Sequence, residues 1–323
     1  MKAYMSTRST DCSLLAKLYP GLKIRVGPAG VHLFCRKTGI NVLLDEILAP
    51  SSIWSDGPRQ VSIALTNACN LSCSYCYAPK KPALLPLELL KGWLFELDHN
   101  GCIGVGFGGG EPTLYPSLTE LCCFAAKETK LAVTMTTHAH QLSNQLLTRL
   151  EGNLHFVRVS MDGVGGTYES IRSRSFKTLV ERITALSGIV SFGINFVVNS
   201  RTFGDLNAAT DLAASLGALE FLLLPEQPVR GKGGIDNDTR AALKEWVINY
   251  RGSVPLSVSA GNADGLPTCD PVNTEKGLGA FAHIDATGVL KRTSYDQEGV
   301  PILENGVMEA LRKLKVAVKG EAS

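Results

Sequence analysis

Ala68-Cys69-Asn70-Leu71-Ser72-Cys73-Ser74-Tyr75-Cys76-Tyr77 is the stretch that organises this chain of 323 residues. It follows Val61-Ser62-Ile63-Ala64-Leu65-Thr66, whose β-branched and apolar content reads as a strand. Thiolates are soft ligands that suit iron–sulfur clusters and zinc. Three of them at C-x3-C-x2-C spacing can hold three irons of a [4Fe–4S] cluster and leave the fourth iron open to a small molecule. A structural zinc site closes with four ligands. The nearest candidates for a fourth are His99 and Cys102, distant along the chain, and on residues alone the zinc reading stays open.

Working outward, a β/α alternation begins at residue 61. Strands are expected at 61–66, 103–108, 131–136, 155–160, 190–198 and 219–224. Helices are expected near 86–98, 117–128, 141–150, 175–187, 204–215 and 239–251. Six such units predict an α/β fold: a partial (β/α)6 TIM-like barrel, whose chemistry sits at the C-terminal ends of the strands. The cysteines follow the first strand directly, which puts them at that mouth.

Residues 1–58 read as an N-terminal module with a β-hairpin, 22–27 and 31–36, split by Pro28-Ala29-Gly30. Asn41 to Leu48 reads as a short helix. The barrel core is expected over 59–252. Residues 253–323 read as an extension with a second hairpin at 283–294 and a last helix near 302–315.

Hydrophobic residues make up 45% and charged ones 19%, with a net charge of +2. That balance gives no electrostatic case for nucleic acid or an anionic membrane. No run of 18 apolar residues appears, so no membrane span is expected. The first residues lack an apolar core and cleavage site typical of a secretory signal, and the expected location is cytoplasmic. Nine cysteines in such a context argue against a disulfide framework. Cys12, Cys35, Cys102, Cys122 and Cys123 are expected to be small buried hydrophobes.

Gly108-Gly109-Gly110-Glu111-Pro112 ends the second strand. Its glycines allow close backbone approach, and Glu111 is a candidate acceptor for an ammonium; read alone, the run is a strand-to-helix turn. The cysteine run with Tyr75, and this segment one unit later, resemble the radical S-adenosylmethionine (SAM) superfamily over about 61–225. The resemblance implies one site-differentiated [4Fe–4S] cluster on Cys69, Cys73 and Cys76, with SAM on the open iron. It implies reductive cleavage of SAM to a 5′-deoxyadenosyl radical that abstracts hydrogen from substrate. It also implies an external donor such as flavodoxin or ferredoxin.

By the same resemblance Gly109, Gly110 and Glu111 meet the amino group of SAM. Ser160 and Asp162 belong to a Ser-x-Asp-Gly turn after strand four, at the ribose or carboxylate, while Asp-Gly by itself signals a plain turn. Arg172 or Arg174 pairs with the carboxylate or is a surface arginine. Asn195 or Asn199 meets adenine or ribose. His138 departs from the Thr-Asn-Gly-like turn of related enzymes and reads as a solvated loop residue. Pro225, Arg230, Gly231 and Lys232 are candidates for the substrate entry.

The tail resembles a degenerate SPASM or twitch extension. Ile284-Asp285-Ala286-Thr287-Gly288 matches, but Thr293 stands where a cluster cysteine is expected, and near Glu275 only Cys269 is close. One cluster is therefore expected. These features favour an enzyme acting on a peptide or protein, by maturation, epimerisation or cross-linking, with the N-terminal hairpin either recognising a leader peptide or capping the barrel. The alternatives are a radical SAM enzyme of small-molecule biosynthesis and a non-enzymatic metal-binding regulator.

Overall fold

The computed structural model describes residues 21–229, 231–259, 262–270, 272 and 274–321. Arg230 and Cys12 lie outside them. Ten strands form one sheet in the order β10-β9-β8-β7-β6-β5-β4-β11-β12-β13. Its centre is β4 (Gln60–Thr66), β5 (Gly104–Gly109), β6 (Ala132–Thr137), β7 (Phe156–Ser160), β8 (Phe192–Val198) and β9 (Phe221–Pro225), all parallel. Helices α1 (Leu87–His99), α2 (Leu118–Glu128), α3 (Asn144–Leu150), α4 (Gly166–Arg172), α5 (Phe176–Ser187), α6 (Leu206–Ser215) and α7 (Asn237–Asn249) alternate with them. This is the mixed α/β, partial TIM-like barrel that the pattern predicts.

Burial explains the pattern. In β4, Val61, Ile63 and Leu65 are buried on one face, and Ala64 and Thr66 on the other. Parallel sheets are covered on both faces, so their strands read as near-continuous apolar runs. In α1, Leu90, Trp93, Leu94 and Leu97 are buried at the i, i+3, i+4, i+7 spacing that makes one helical face.

The tail extends this sheet. Strand β10 (Leu256–Val258) pairs with β9, and β11 (Phe281–Ile284) pairs in parallel with β4. The hairpin partner β12 (Val289–Lys291) and β13 (Val300–Pro301) continue the edge, and α8 (Gly306–Glu321) closes the chain. Asp285 shapes the hairpin turn by accepting from the backbone of Thr287 and Val289.

Two elements differ from the sequence reading. Asn41–Leu44 is a strand, β3, and not a helix. An uncapped run of that length cannot offset helix nucleation, and it pairs instead with β2 (Gly30–Phe34), itself paired with β1 (Lys23–Gly27). Helix α4 lies outside the expected helices, since the sequence reading has only the Asp162-Gly163 turn there. Gly165 at φ 55° launches it, and Ser173 at φ 51° ends it in the left-handed region.

The three-stranded N-terminal sheet docks at the end of the barrel opposite the cysteines. Lys23 pairs with Asp98, Arg25 donates to Gly101 and Gly279, and Arg36 donates to the Ala126, Thr129 and Leu131 carbonyls. Those groups precede or approach the N-terminal ends of β5, β6 and β11. Arg25 and Arg59 both pair with Glu275, and the Arg25 and Glu275 side chains are only 3% and 7% exposed.

Removing one partner of a buried pair strands the other charge. Glu275→Ala should therefore cost about 3–5 kcal/mol, with Glu275→Gln milder. Urea unfolding reads it, and an unchanged midpoint for the alanine variant would refute the role of this cluster.

His155 accepts from the Val133 backbone through Nδ1, and His283 is bonded to Ser62 at 2.7 Å. Burial lowers both pKa values from 6.5 to about 4. Across that window the unfolded chain binds protons that the folded chain refuses, so stability falls as pH drops from 6.5 toward 4. Thermal melts over this range should show that slope, and His283→Gln should flatten it.

Candidate cofactor site at the barrel mouth

The cysteine loop leaves β4 and returns alongside it. Its neck is closed by the Asn67 amide donating to Ala83, the Leu85 amide donating to Leu65, and Thr66 Oγ1 donating to Ala83. Cys69, Cys73 and Cys76 are half-buried on this loop. The Cys76 thiol lies within electrostatic reach of the other two. Burial pushes the Cys69 and Cys73 thiols above their usual pKa; a desolvated thiol ionises readily only beside compensating positive charge, which a metal supplies.

Among the described residues no three His, Cys, Asp or Glu side chains converge closely enough to hold one ion. In a cluster each thiolate binds a different iron, which sets the sulfurs wider apart. The zinc alternative loses its fourth ligand: His99 and Cys102 precede β5, at the opposite end of a strand about 20 Å long. Cys102 and Cys122 are fully buried hydrophobes, as expected, whereas Cys35 and Cys123 are only half-buried.

Gly109 and Gly110 press the end of β5 against the start of the loop. Gly109 sits at φ 114°, and a Cβ there would lie 2.4 Å from the Thr66 carbonyl oxygen. A Cβ on Gly110 would lie 2.2 Å from that of Ala68. The amides of Gly110 and Glu111 donate to Thr66 and Ala68 at 2.7 and 2.8 Å.

Glu111 is buried and well supplied with donors. Its Oε1 accepts from the Thr113 amide, the Thr113 hydroxyl and the Thr137 hydroxyl, and its Oε2 from the His138 amide at 2.9 Å. The His138 ring lies 3.2 Å from Oε2 and bonds Asn70 Oδ1 at 2.9 Å. His138 is thus not the solvated loop residue that its sequence context suggests; at 4% exposure it ties Glu111 to the cysteine loop. Burial lowers its pKa, against the opposing pull of Glu111. Oε2 keeps capacity for a further donor.

Asp162 is the second knot. Its Oδ2 accepts from the Tyr75 hydroxyl at 2.5 Å and from Arg172, and its Oδ1 from the Val197 amide at 2.7 Å. Burial, then Asp162, keeps the Tyr75 phenol protonated far above its usual range. Burial works against charge on Arg172, but Asp162 and its neighbours outweigh it. Arg172 is therefore no surface arginine, and Arg174 donates to the Asn70 carbonyl. Ser160 pairs in register with Asn195 across β7 and β8.

Two buried polar atoms here lack partners in the protein: Asn195 Oδ1 and Arg172 Nε. Unsatisfied groups at a strand-end site fit a polar ligand. Asn199, by contrast, is spent within the protein. Its Nδ2 donates to Glu226, and its Oδ1 accepts from the Arg201 and Thr202 amides. In the tail, Glu275 is taken by arginines, Cys269 is exposed, and the Thr293 amide bonds Asp296. The roles of Asn70, His140, Tyr168 and Tyr295 had no sequence signal. His140 bonds the Tyr168 hydroxyl at 2.8 Å, a contact between separate units of the barrel.

A family model described as the radical SAM superfamily matches residues 63–205. The mycofactocin maturase MftC of Mycobacterium tuberculosis is 29% identical over 171 residues, covering 50% of this chain and 44% of that protein. The sporulation killing factor maturation protein SkfB of Bacillus subtilis is 31% identical over 196 residues, covering 55% and 45%. The chain thus spans about half the length of these curated relatives' matched proteins or less. The fold is similar to that of Streptococcus suis SuiB bound to its precursor peptide SuiA, at TM-score 0.70 and 13% identity, covering 90% and 87% of the two chains. No helix among the described residues is long and apolar enough to cross a membrane. The cysteine loop and the glycine cradle both fall within residues 63–205, the stretch that the radical SAM superfamily model matches.

Proposed function

We propose that this chain is a radical SAM enzyme that modifies a peptide or protein substrate. The observation that carries the cofactor assignment is the position of the three-cysteine loop at the C-terminal end of β4, beside the unpartnered Asn195 Oδ1 and Arg172 Nε. Cys69, Cys73 and Cys76 hold one [4Fe–4S] cluster. When bound, cluster and SAM supply reductive cleavage to a 5′-deoxyadenosyl radical that abstracts hydrogen from substrate.

The chain's own residues bind and orient. Glu111 Oε2 accepts from the SAM ammonium, with Gly109 and Gly110 keeping its loop against the cysteines. Arg172 offers Nε to the carboxylate, and Asp162 keeps that guanidinium charged and in place. Asn195 and Ser160 accept from the nucleoside. Tyr75 fixes the cysteine loop on Asp162. An external flavodoxin or ferredoxin supplies the electron.

A peptide substrate is supported by the names of the relatives, two of them maturation proteins, and by the SuiB structure with its precursor peptide. Maturation, epimerisation or cross-linking are outcomes that product analysis separates.

Anaerobic reconstitution should load about four irons per chain, with dithionite-driven formation of 5′-deoxyadenosine. Cys69→Ala, Cys73→Ala and Cys76→Ala should each abolish both, whereas Cys269→Ala should keep the iron. Zinc in place of iron, with SAM intact, would move the protein to the metal-binding alternative.

Gly110→Ala should cripple SAM binding, measured by calorimetry, because its Cβ meets the Ala68 carbonyl. Glu111→Gln should weaken SAM binding about tenfold while iron content holds. Unchanged affinity would remove Glu111 from the site.

A further inference from the structure

Tyr77 follows Cys76, and strand β11 and the β12–β13 loop pack beside it. Its ring lies 5.3 Å from that of Tyr295 and edge-on to His283 at 6.4 Å. His283 is anchored to Ser62 on β4 at 2.7 Å, and Ser294 lines the same cleft as Tyr77. Both phenols lie within electrostatic reach of the Cys76 thiol. These side chains line a cleft at the mouth together with Gly109 and Asn67. This segment of the tail carries no cysteine, yet it contributes one wall of this cleft through residues more than 200 positions from the loop.

We propose that Tyr295 is a positioning residue for the cluster: its ring packs on Tyr77 and shields the Cys76 side of the site from solvent. This rests on the radical SAM reading above. Strand β11 and the β12–β13 loop then serve as an aromatic wall that holds the last ligand cysteine and slows its exchange with water. The ring carries this role, and the hydroxyl does not, because the contact to Tyr77 is between ring faces and edges.

The test uses full-length protein, reconstituted anaerobically and then exposed to EDTA in air. Loss of the cluster's visible absorbance and release of iron are followed together. Wild type and Tyr295→Phe should decay at the same rate. Tyr295→Leu should decay at least about threefold faster, the scale of one aromatic pair contact. Ser294→Ala, which trims the same cleft wall and leaves Tyr295 in place, should shift the rate in the same direction by less, so the inference stands apart from any folding defect of the leucine variant. Equal rates for Tyr295→Leu and wild type would overturn the proposal, as would a Tyr295→Phe variant as fast as the leucine one. Wild-type protein that takes up no iron would overturn the underlying reading itself.

Discussion

The site depends on one close approach between two backbones. Strand β5 ends against the first residues of the cysteine loop so tightly that the Gly110 and Glu111 amides donate to the Thr66 and Ala68 carbonyls. No side chain beyond hydrogen fits at Gly109 or Gly110. This contact fixes where the loop starts, and Glu111, placed by the same turn, fixes the end of β6 through Thr137 and His138. Asp162 repeats the device across the mouth by joining the loop to β8 and α4. Two buried carboxylates, each satisfied by donors from several elements, thus tie the cysteine loop to the C-terminal ends of the central strands.

The mouth and the base of the barrel have different chemistry. At the base, Lys23, Arg25 and Arg36 cap carbonyls and acids, so the N-terminal sheet is fastened by charge. At the mouth, protonated tyrosines, neutral imidazoles and buried carboxylates surround the cysteines. Dense, specific bonding at the base leaves the mouth free to carry unsatisfied atoms without loss of the fold.

Much of the barrel was legible in the sequence because parallel strands buried on both faces are apolar runs separated by amphipathic helices. The cysteine spacing and the Gly-Gly-Glu turn were legible because they are local. What escaped was set by partners distant in the chain. Asn41–Leu44 became a strand because β2 was there to pair with it. His138 was buried by Glu111 and Asn70, and Arg25 found Glu275 from 250 positions away. Periodicity and spacing report none of these. The α4 helix escaped for the opposite reason, since glycines that ordinarily interrupt helices here only set its start.

The pairing of β4 with β11 has a consequence for synthesis. Strand β4 is central in the finished sheet, but its second neighbour begins at Phe281, while β4 begins at Gln60. At the usual pace of a ribosome the nascent chain exposes that edge for roughly 10–45 s before its partner emerges. An unpaired apolar strand invites pairing with other chains. Chaperone capacity and expression temperature are therefore expected to govern the yield of this protein more than the intrinsic stability of its finished core.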